Sequence, residues 1–297
     1  MANDIQFSSV CGIDIAKSVM QVYKISSDGV VSNKAVKRAD FLNEFRNIPP
    51  ALIGMEACGG SQHWARELQS LGHTVRLMPP KLVKPYVTGL KNDKNDARGI
   101  YTALGMGVRE VPVKSAAIRD LALLQTMRAK RQREKVAKIN HIRGILTEYG
   151  LVMGKSLNAF LAKARPLIVE LKERADVSPY IVSELLALFQ EVKEAMEKIK
   201  ELETNIDSIA KTLKQYDLFR SAPGVGSITA ATMLVLLCNP AVFKNGREFA
   251  AYIGLAPKST GSGGKNVVTH IPKKYECNNE VRALLVQCAH AICRGKH

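Results

Sequence analysis

Apolar residues in the first third of the chain fall into short runs separated by glycine, proline and polar clusters, a pattern typical of alternating strands and helices. The runs that predict strands cover residues 10–15, 19–25, 30–36, 51–56 and 73–78. Helical spacing follows over residues 41–45, 63–71, 81–86 and 93–104. A three-strand meander followed by alternating strands and helices predicts an α/β domain with a mixed sheet, which we assign to residues 1–107.

The middle of the chain, residues 108–215, has the spacing of long helices. Its second half carries apolar residues at intervals of four and three: Ile181, Leu185, Leu188, Val192, Ala195, Ile199, Leu202, Ile206, Ile209 and Leu213. This repeat predicts a helical coiled-coil segment. Two interpretations stay open. The helix pairs with the predicted helix over residues 115–147 of the same chain, or it also joins two copies of the chain.

The last segment, residues 216–297, predicts a mainly α-helical domain. A Pro-Gly-Val-Gly turn that contains Gly224 and Gly226 precedes an apolar helix over residues 228–238. The turn resembles a helix-hairpin-helix element, in which glycines let backbone amides approach a phosphate at a helix N-terminus. A plain tight turn is the alternative, because proline and glycine are common in turns.

The net positive charge of the chain indicates a class of binding partner. The 297 residues carry a formal net charge of +16, which favours a polyanion and first of all nucleic acid. The predicted helix over residues 115–147 is densely basic, with Arg128, Lys130, Arg131, Arg133, Lys135, Lys138 and Arg143 against the single acid Glu134 between residues 127 and 143. We expect the first six of these cations to contact phosphates, although a solvated helix face is the simpler alternative.

The cysteines and the apolar stretches of the chain indicate where in the cell the protein is expected to work. The six cysteines form no Cys-x-x-Cys pair, which favours a reducing compartment, so a cytoplasmic, nucleoid-associated protein is expected. The longest apolar stretch, near residues 228–238, is too short to span a bilayer, and no membrane partner is expected.

Four carboxylates supply the candidate chemistry. Asp14 lies inside the first apolar run and Glu56 ends the run over residues 51–56. Asp93 and Asp96 are three residues apart at the start of a predicted helix, so both lie on one helical face. Because oxygen-only ligand sets suit Mg²⁺ or Mn²⁺, the four acids predict a site for two such ions, which can act together on a phosphodiester.

Three motifs that contain these acids resemble a known family. They are Gly-Ile-Asp-Ile-Ala-Lys at 12–17, Met-Glu-Ala-Cys-Gly at 55–59 and Asn-Asp-Lys-Asn-Asp-Ala-Arg at 92–98. They resemble the N-terminal RuvC-like domain of the DEDD insertion-sequence transposases, a family that includes Piv-type DNA invertases and bridge-RNA-guided recombinases. The resemblance implies a ribonuclease-H-like fold and catalytic, metal-binding roles for Asp14, Glu56, Asp93 and Asp96.

A second stretch resembles the serine-containing C-terminal domain of the same family. It comprises Phe-Ala-Ala-Tyr-Ile-Gly-Leu-Ala-Pro at 249–257 and Ser-Gly-Gly-Lys at 262–265. From the residues alone, a flexible loop is favoured for the Gly-Ser-Gly-Gly run. The resemblance instead implies that Ser262, rather than Ser259, is the nucleophile that links to DNA, and Lys265 is expected to contact nucleic acid.

The resemblance also implies partners. A structured guide RNA would pair with the DNA, and a dimer or tetramer would form composite active sites, with the acids of one protomer and the serine of another. Two other functions stay open: a metal-dependent, structure-specific DNA nuclease that uses water, and an inactive remnant that only binds nucleic acid.

Overall fold

The computed structural model describes residues 7–90, 92–262, 265–273 and 277–295, and the side chains of all of these except 259–269. The chain divides into two compact units. One consists of residues 1–115 and 238–248, and the other of residues 116–237 and 249–297.

A five-stranded mixed sheet organises the first unit. Its strands are β1 (Ser9–Ile15), β2 (Val19–Ser26), β3 (Val31–Lys37), β4 (Leu52–Glu56) and β5 (Thr74–Met78), in the spatial order β3-β2-β1-β4-β5. The first three form an antiparallel meander, and β4 and β5 run parallel to β1. This topology confirms the predicted α/β domain and is consistent with a ribonuclease-H-like fold.

Helices of the first unit cover the sheet. They are α1 (Asn43–Arg46), α2 (Ser61–Ser70), α3 (Pro80–Val83), a 3₁₀ turn at Lys84–Tyr86, and α4 (Asp93–Gly105). The core contains alternate residues of the strands, such as Cys11 and Ile13, with Phe41 and Phe45 from the segment that leads into α1. His73 is buried among them, where its Nδ1 accepts from the Ala51 amide at 3.1 Å.

The second unit is mostly helical. It contains α5 (Ala116–Glu148), α6 (Leu157–Leu171), α7 (Pro179–Lys211), α8 (Tyr216–Arg220), α9 (Ser227–Leu236), most of α10 (Gly246–Tyr252), strands β6 (Lys258–Ser262) and β7 (Lys265–His270), and α11 (Asn279–Cys293). The predicted helices of the basic stretch and of the four-three repeat therefore form as single helices.

The longest two helices, α5 and α7, pack against each other. On α7 the buried residues include Leu185, Val192, Ile199 and Ile206, which are seven residues apart and belong to the predicted seam. Much of the predicted apolar seam of α7 is therefore buried within a single copy of the chain. Among the described residues, no helix combines the length and the apolar character that crossing a bilayer requires.

Packing of α6 against α7 generates a stability prediction. Phe160 is fully buried there, with its ring centroid 5.7 Å from that of Phe189. We expect Phe160→Ala to lower the free energy of unfolding by about 3–5 kcal/mol because it leaves a cavity. In urea denaturation, Val169→Ala on the exposed side of α6 serves as control, with a loss below about 1 kcal/mol. Equal losses in the two variants would contradict this packing.

Candidate metal centre

Three of the four candidate acids converge in the first unit. Asp14 lies near the end of β1, and Asp93 and Asp96 lie in the first turn of α4. One carboxylate oxygen from each residue lies within 4.8 Å of the others. Asp14 and Asp96 are half-buried and Asp93 is exposed, so the cluster opens towards solvent.

Glu56 belongs to the same electrostatic environment. It ends β4, whose Met55 pairs with Ile13 of β1, so Glu56 and Asp14 follow paired residues on adjacent parallel strands. Burial raises the pKa of Glu56 above the ordinary glutamate value, and the negative charges of Asp14 and Asp96 raise it further. Glu56 therefore lies in the electrostatic field of Asp14 and Asp96, two of the three clustered aspartates.

A glycine allows the helix to approach the strand this closely. A Cβ atom on Gly12 would lie 2.3 Å from the carbonyl oxygen of Ala97 and 2.4 Å from the amide nitrogen of Tyr101. Any side chain at position 12 would therefore push α4 away from β1. The start of α4 is fixed separately, since the Asn92 side chain accepts from the Asn95 amide at 2.9 Å.

The donor set fits a hard divalent cation. All four side chains offer carboxylate oxygens, which suit Mg²⁺ or Mn²⁺, and a cation would offset the charges of Asp14 and Asp96, which add to the effect of burial on the pKa of Glu56. The partly desolvated thiol of Cys58 also lies near the cluster. Burial and the charges of Glu56 and Asp14 raise its pKa, which keeps it a neutral thiol and a poor ligand.

Ser262 ends one strand of a hairpin in the second unit. Strands β6 and β7 pair antiparallel, with Ser262 opposite Lys265, so residues 258–262 are extended backbone rather than the flexible loop that their composition favours. The β-branched residues of β7 supply a pairing partner that compensates for the glycine and serine of β6. The side chains of Ser262 and Lys265 lie outside the described residues.

Both ends of this hairpin are fastened by one side chain that the sequence motifs did not indicate. The Arg282 guanidinium of α11 donates to the carbonyl oxygen of Pro272, after β7, at 2.6 Å and to that of Gly254, before β6, at 3.4 Å. Asn279 accepts from the same guanidinium at 2.8 Å. Arginine carries five donors in a planar fork, so it can hold several carbonyls at once.

The predicted phosphate contacts on α5 have different surroundings. Arg128 forms an ion pair with Glu203 of α7 at 2.6 Å, and Lys138 forms one with Glu191. Lys135 is only 8% exposed. The other three candidates on this helix, Lys130, Arg131 and Arg133, are exposed.

The two glycines of the Pro-Gly-Val-Gly turn also differ. Gly224 has a φ of +74°, and a Cβ atom there would lie 2.6 Å from the carbonyl oxygen of Cys288, so Gly224 is needed for packing against α11. Gly226 immediately precedes α9, and a Cβ atom there would meet nothing within 4 Å. Of the two, Gly226 is the one beside open space at a helix N-terminus.

Comparison with known families covers both ends of the chain. Residues 11–151 match DEDD_Tnp_IS110, described as "Transposase", and residues 216–296 match Transposase_20, described as "Transposase IS116/IS110/IS902 family". The first match contains all four acids, and the second contains Ser262.

Individual relatives match over nearly the whole chain. A "Probable family 20 transposase" of Pseudomonas aeruginosa is 34% identical over 95% of this chain and 83% of its own length. The "Transposase for insertion sequence element IS1111A" of Coxiella burnetii is 34% identical over 96% of this chain and 78% of its own length. The "Transposase for insertion sequence element IS1328" of Yersinia enterocolitica is 28% identical over 95% and 83%.

The close approach of α4 to β1 predicts the effect of a single methyl group. Gly12→Ala should lower the free energy of unfolding by about 1–3 kcal/mol and weaken Mn²⁺ binding, because α4 must move away from Asp14. Gly105→Ala is the control, since a Cβ atom there meets nothing within 4 Å and alanine favours the helix. Urea denaturation and Mn²⁺ titration measure both effects. Similar behaviour of the two variants would contradict the close approach.

The raised pKa of Glu56 predicts a pH-dependent stability. A carboxyl whose folded pKa exceeds its unfolded value makes the folded state bind more protons, so its stabilising contribution is present at low pH and is lost as pH rises through the folded pKa. Without divalent cations, Glu56→Gln should therefore flatten the loss of stability that begins above the ordinary glutamate pKa of about 4.3, as measured by thermal denaturation across a series of pH values. Glu173→Gln, at an exposed position after α6, is the control. An unchanged slope in Glu56→Gln would refute the assignment.

Proposed function

The chain belongs to the IS116/IS110/IS902 family of insertion-sequence transposases, and from this membership we propose that it cuts and rejoins DNA as the recombinase of a mobile element. The observation that carries the proposal is the convergence of Asp14, Asp93 and Asp96, with Glu56 in the same field. In this proposal residues 1–107 form the acidic catalytic domain, 108–215 the helical arm and 216–297 the serine domain, and the enzyme works on nucleoid DNA in the cytoplasm.

The four carboxylates would hold two Mg²⁺ ions, or Mn²⁺ in their place. Bound divalent cations supply charge neutralisation at the phosphate and orient the attacking and leaving oxygens. Asp14 and Glu56, on neighbouring parallel strands, hold one side of the site, and the first turn of α4 holds the other. Glu56 must be ionised to bind, so at low pH its protonation competes with the cation.

Ser262 would supply the nucleophile. Its hydroxyl loses its proton to water as Oγ forms a bond to phosphorus, the bond from phosphorus to one deoxyribose oxygen breaks, and that oxygen takes up a proton from water as it leaves. The phosphoserine link keeps the energy of the phosphodiester, so attack by another DNA hydroxyl reverses the step and joins a new strand. The position of Ser262 at the last residue of β6, opposite Lys265 of β7, supports this role because it places the serine beside a cation of the paired strand.

Nucleic acid would be held by the exposed basic positions. Arg131 and Arg133 are the best placed on α5, followed by Lys130, which is exposed but pairs with Glu134 at 3.8 Å, and Gly226 would leave the N-terminus of α9 open to a phosphate, as in a helix-hairpin-helix. Lys135, Arg128 and Lys138 are weaker candidates because burial or an α7 glutamate already engages them. The guide RNA belongs to this proposal through the family resemblance alone.

Assembly would complete the active site. We include in the proposal a dimer or tetramer in which the acids of one protomer act with Ser262 of another. The paired helices α5 and α7 would serve as a coiled-coil arm in such an assembly, and half-buried seam residues such as Leu188 and Leu202 support this because they still present apolar surface.

Trapping of a protein–DNA link tests the chemistry. With DNA, guide RNA and Mg²⁺, the wild-type chain should migrate as a covalent adduct in denaturing electrophoresis, and Ser262→Ala should abolish the adduct. Ser259→Ala is the matched control, because it removes a hydroxyl from the same strand and should keep the adduct. Cleavage that persists in Ser262→Ala without an adduct would favour a nuclease that uses water.

Removal of one ligand tests the metal centre. We expect Asp14→Asn to lower cleavage by at least about a hundredfold, since even changes outside the ligand shell of a metal cost 10–100-fold. A wild-type chain that binds DNA and never cuts it would instead identify an inactive nucleic-acid-binding remnant. Unchanged cleavage in Asp14→Asn would refute the metal centre.

A further inference from the structure

Two buried or half-buried amide side chains connect the sheet to the acidic turn of α4. In the register of β1 and β2, Gln21 lies directly opposite Asp14. Its side-chain Nε2 donates to Oδ1 of Asn33 on β3 at 2.7 Å. Nδ2 of Asn33 then donates to the carbonyl oxygen of Lys94 at 3.2 Å. This chain of contacts starts beside one acid and ends on the backbone between Asp93 and Asp96.

Burial of the Gln21 amide costs desolvation free energy that a hydrogen bond must offset. Gln21 is 5% exposed and lies between strand residues that are apolar, Met20 and Val22. A buried amide must be hydrogen-bonded to offset its desolvation, whereas a β-branched apolar residue at this position would fill the space and favour the strand. Asn33 supplies the required partner. The backbone pairing of β2 with β3 does not depend on either side chain.

We propose that Gln21 and Asn33 are positioning residues for the divalent cation, which fix the acidic turn of α4 at a set distance from Asp14. The inference rests on the proposed metal centre and goes beyond it. Gly12 sets the approach of α4 to β1 at Ala97 and Tyr101, and the Asn92 cap acts within α4, so neither contact ties the first turn of α4 to β2 or β3. The amide relay restrains the Lys94 carbonyl and, through the backbone, the two carboxylates on either side of it.

A fixed spacing matters more for a small cation than for a large one. Mg²⁺ requires near-ideal octahedral geometry with short bonds, whereas Ca²⁺ accepts variable coordination and longer bonds. Loosening the turn should therefore weaken Mg²⁺ binding more than Ca²⁺ binding. A residue that only supported the fold would change the affinities for both ions in the same proportion.

The test is competition of Mg²⁺ and of Ca²⁺ against Mn²⁺ on the full-length chain, followed by electron paramagnetic resonance of the free Mn²⁺. Asn33→Ala should weaken Mg²⁺ binding about tenfold, the lower end of the usual effect of an outer-shell partner, and Ca²⁺ binding clearly less. Gln21→Leu should do the same. The double variant should be no worse than either single one, since both changes break the same relay.

Asn47→Ala is the matched control, because Asn47 is an exposed asparagine in the same unit at the end of α1. It should leave both affinities unchanged. Equal weakening of Mg²⁺ and Ca²⁺, an additive double variant, or unchanged affinities in Asn33→Ala would each overturn the relay. If the wild-type chain binds Mn²⁺ no better than Asp14→Asn, the metal centre itself fails, and that result is distinct from a failure of the relay.

Discussion

Repulsion between carboxylates is the constraint around which the first unit is built. Each pair of ionised acids about 4 Å apart costs on the order of 1 kcal/mol in water and more in a half-buried site. The fold must therefore hold Asp14, Asp93 and Asp96 together against their own field, and it does so with rigid elements. Parallel pairing of β1 with β4 fixes one side, and Gly12 brings α4 against the other. Burial raises the pKa of Glu56, and the charges of Asp14 and Asp96 raise it further.

Much of this architecture was predictable because it follows local rules. Alternation along the strands, the helical spacing over residues 93–104 and the four-three repeat of α7 are each visible within a short stretch of sequence. The four acids stood out for the same reason, since a carboxylate in or beside an apolar run requires an explanation. Gln21, Asn33 and Arg282 were missed because their meaning depends on partners 12, 61 and 28 residues away.

Long-range pairing also changed the interpretation of charge and composition. A helix with many lysines and arginines suggests a nucleic-acid surface, yet α7 supplies glutamates to Arg128 and Lys138. The sequence of one helix cannot reveal how much of its charge a neighbouring helix neutralises. Likewise, a glycine- and serine-rich stretch suggests a loop until β7 offers it a strand to pair with. In both cases a partner element overrides a local preference.

The hydrogen bonds that Arg282 donates to two carbonyl groups affect how the sequence between residues 254 and 272 can vary. Because the two carbonyls that it joins, those of Gly254 and Pro272, flank the whole hairpin, the intervening residues start and finish at nearly the same point in space. Insertions, deletions and substitutions between these two residues therefore need not shift the helices on either side of the hairpin. Evolution can therefore change the sequence between residues 254 and 272 while the helices on either side of it stay in place.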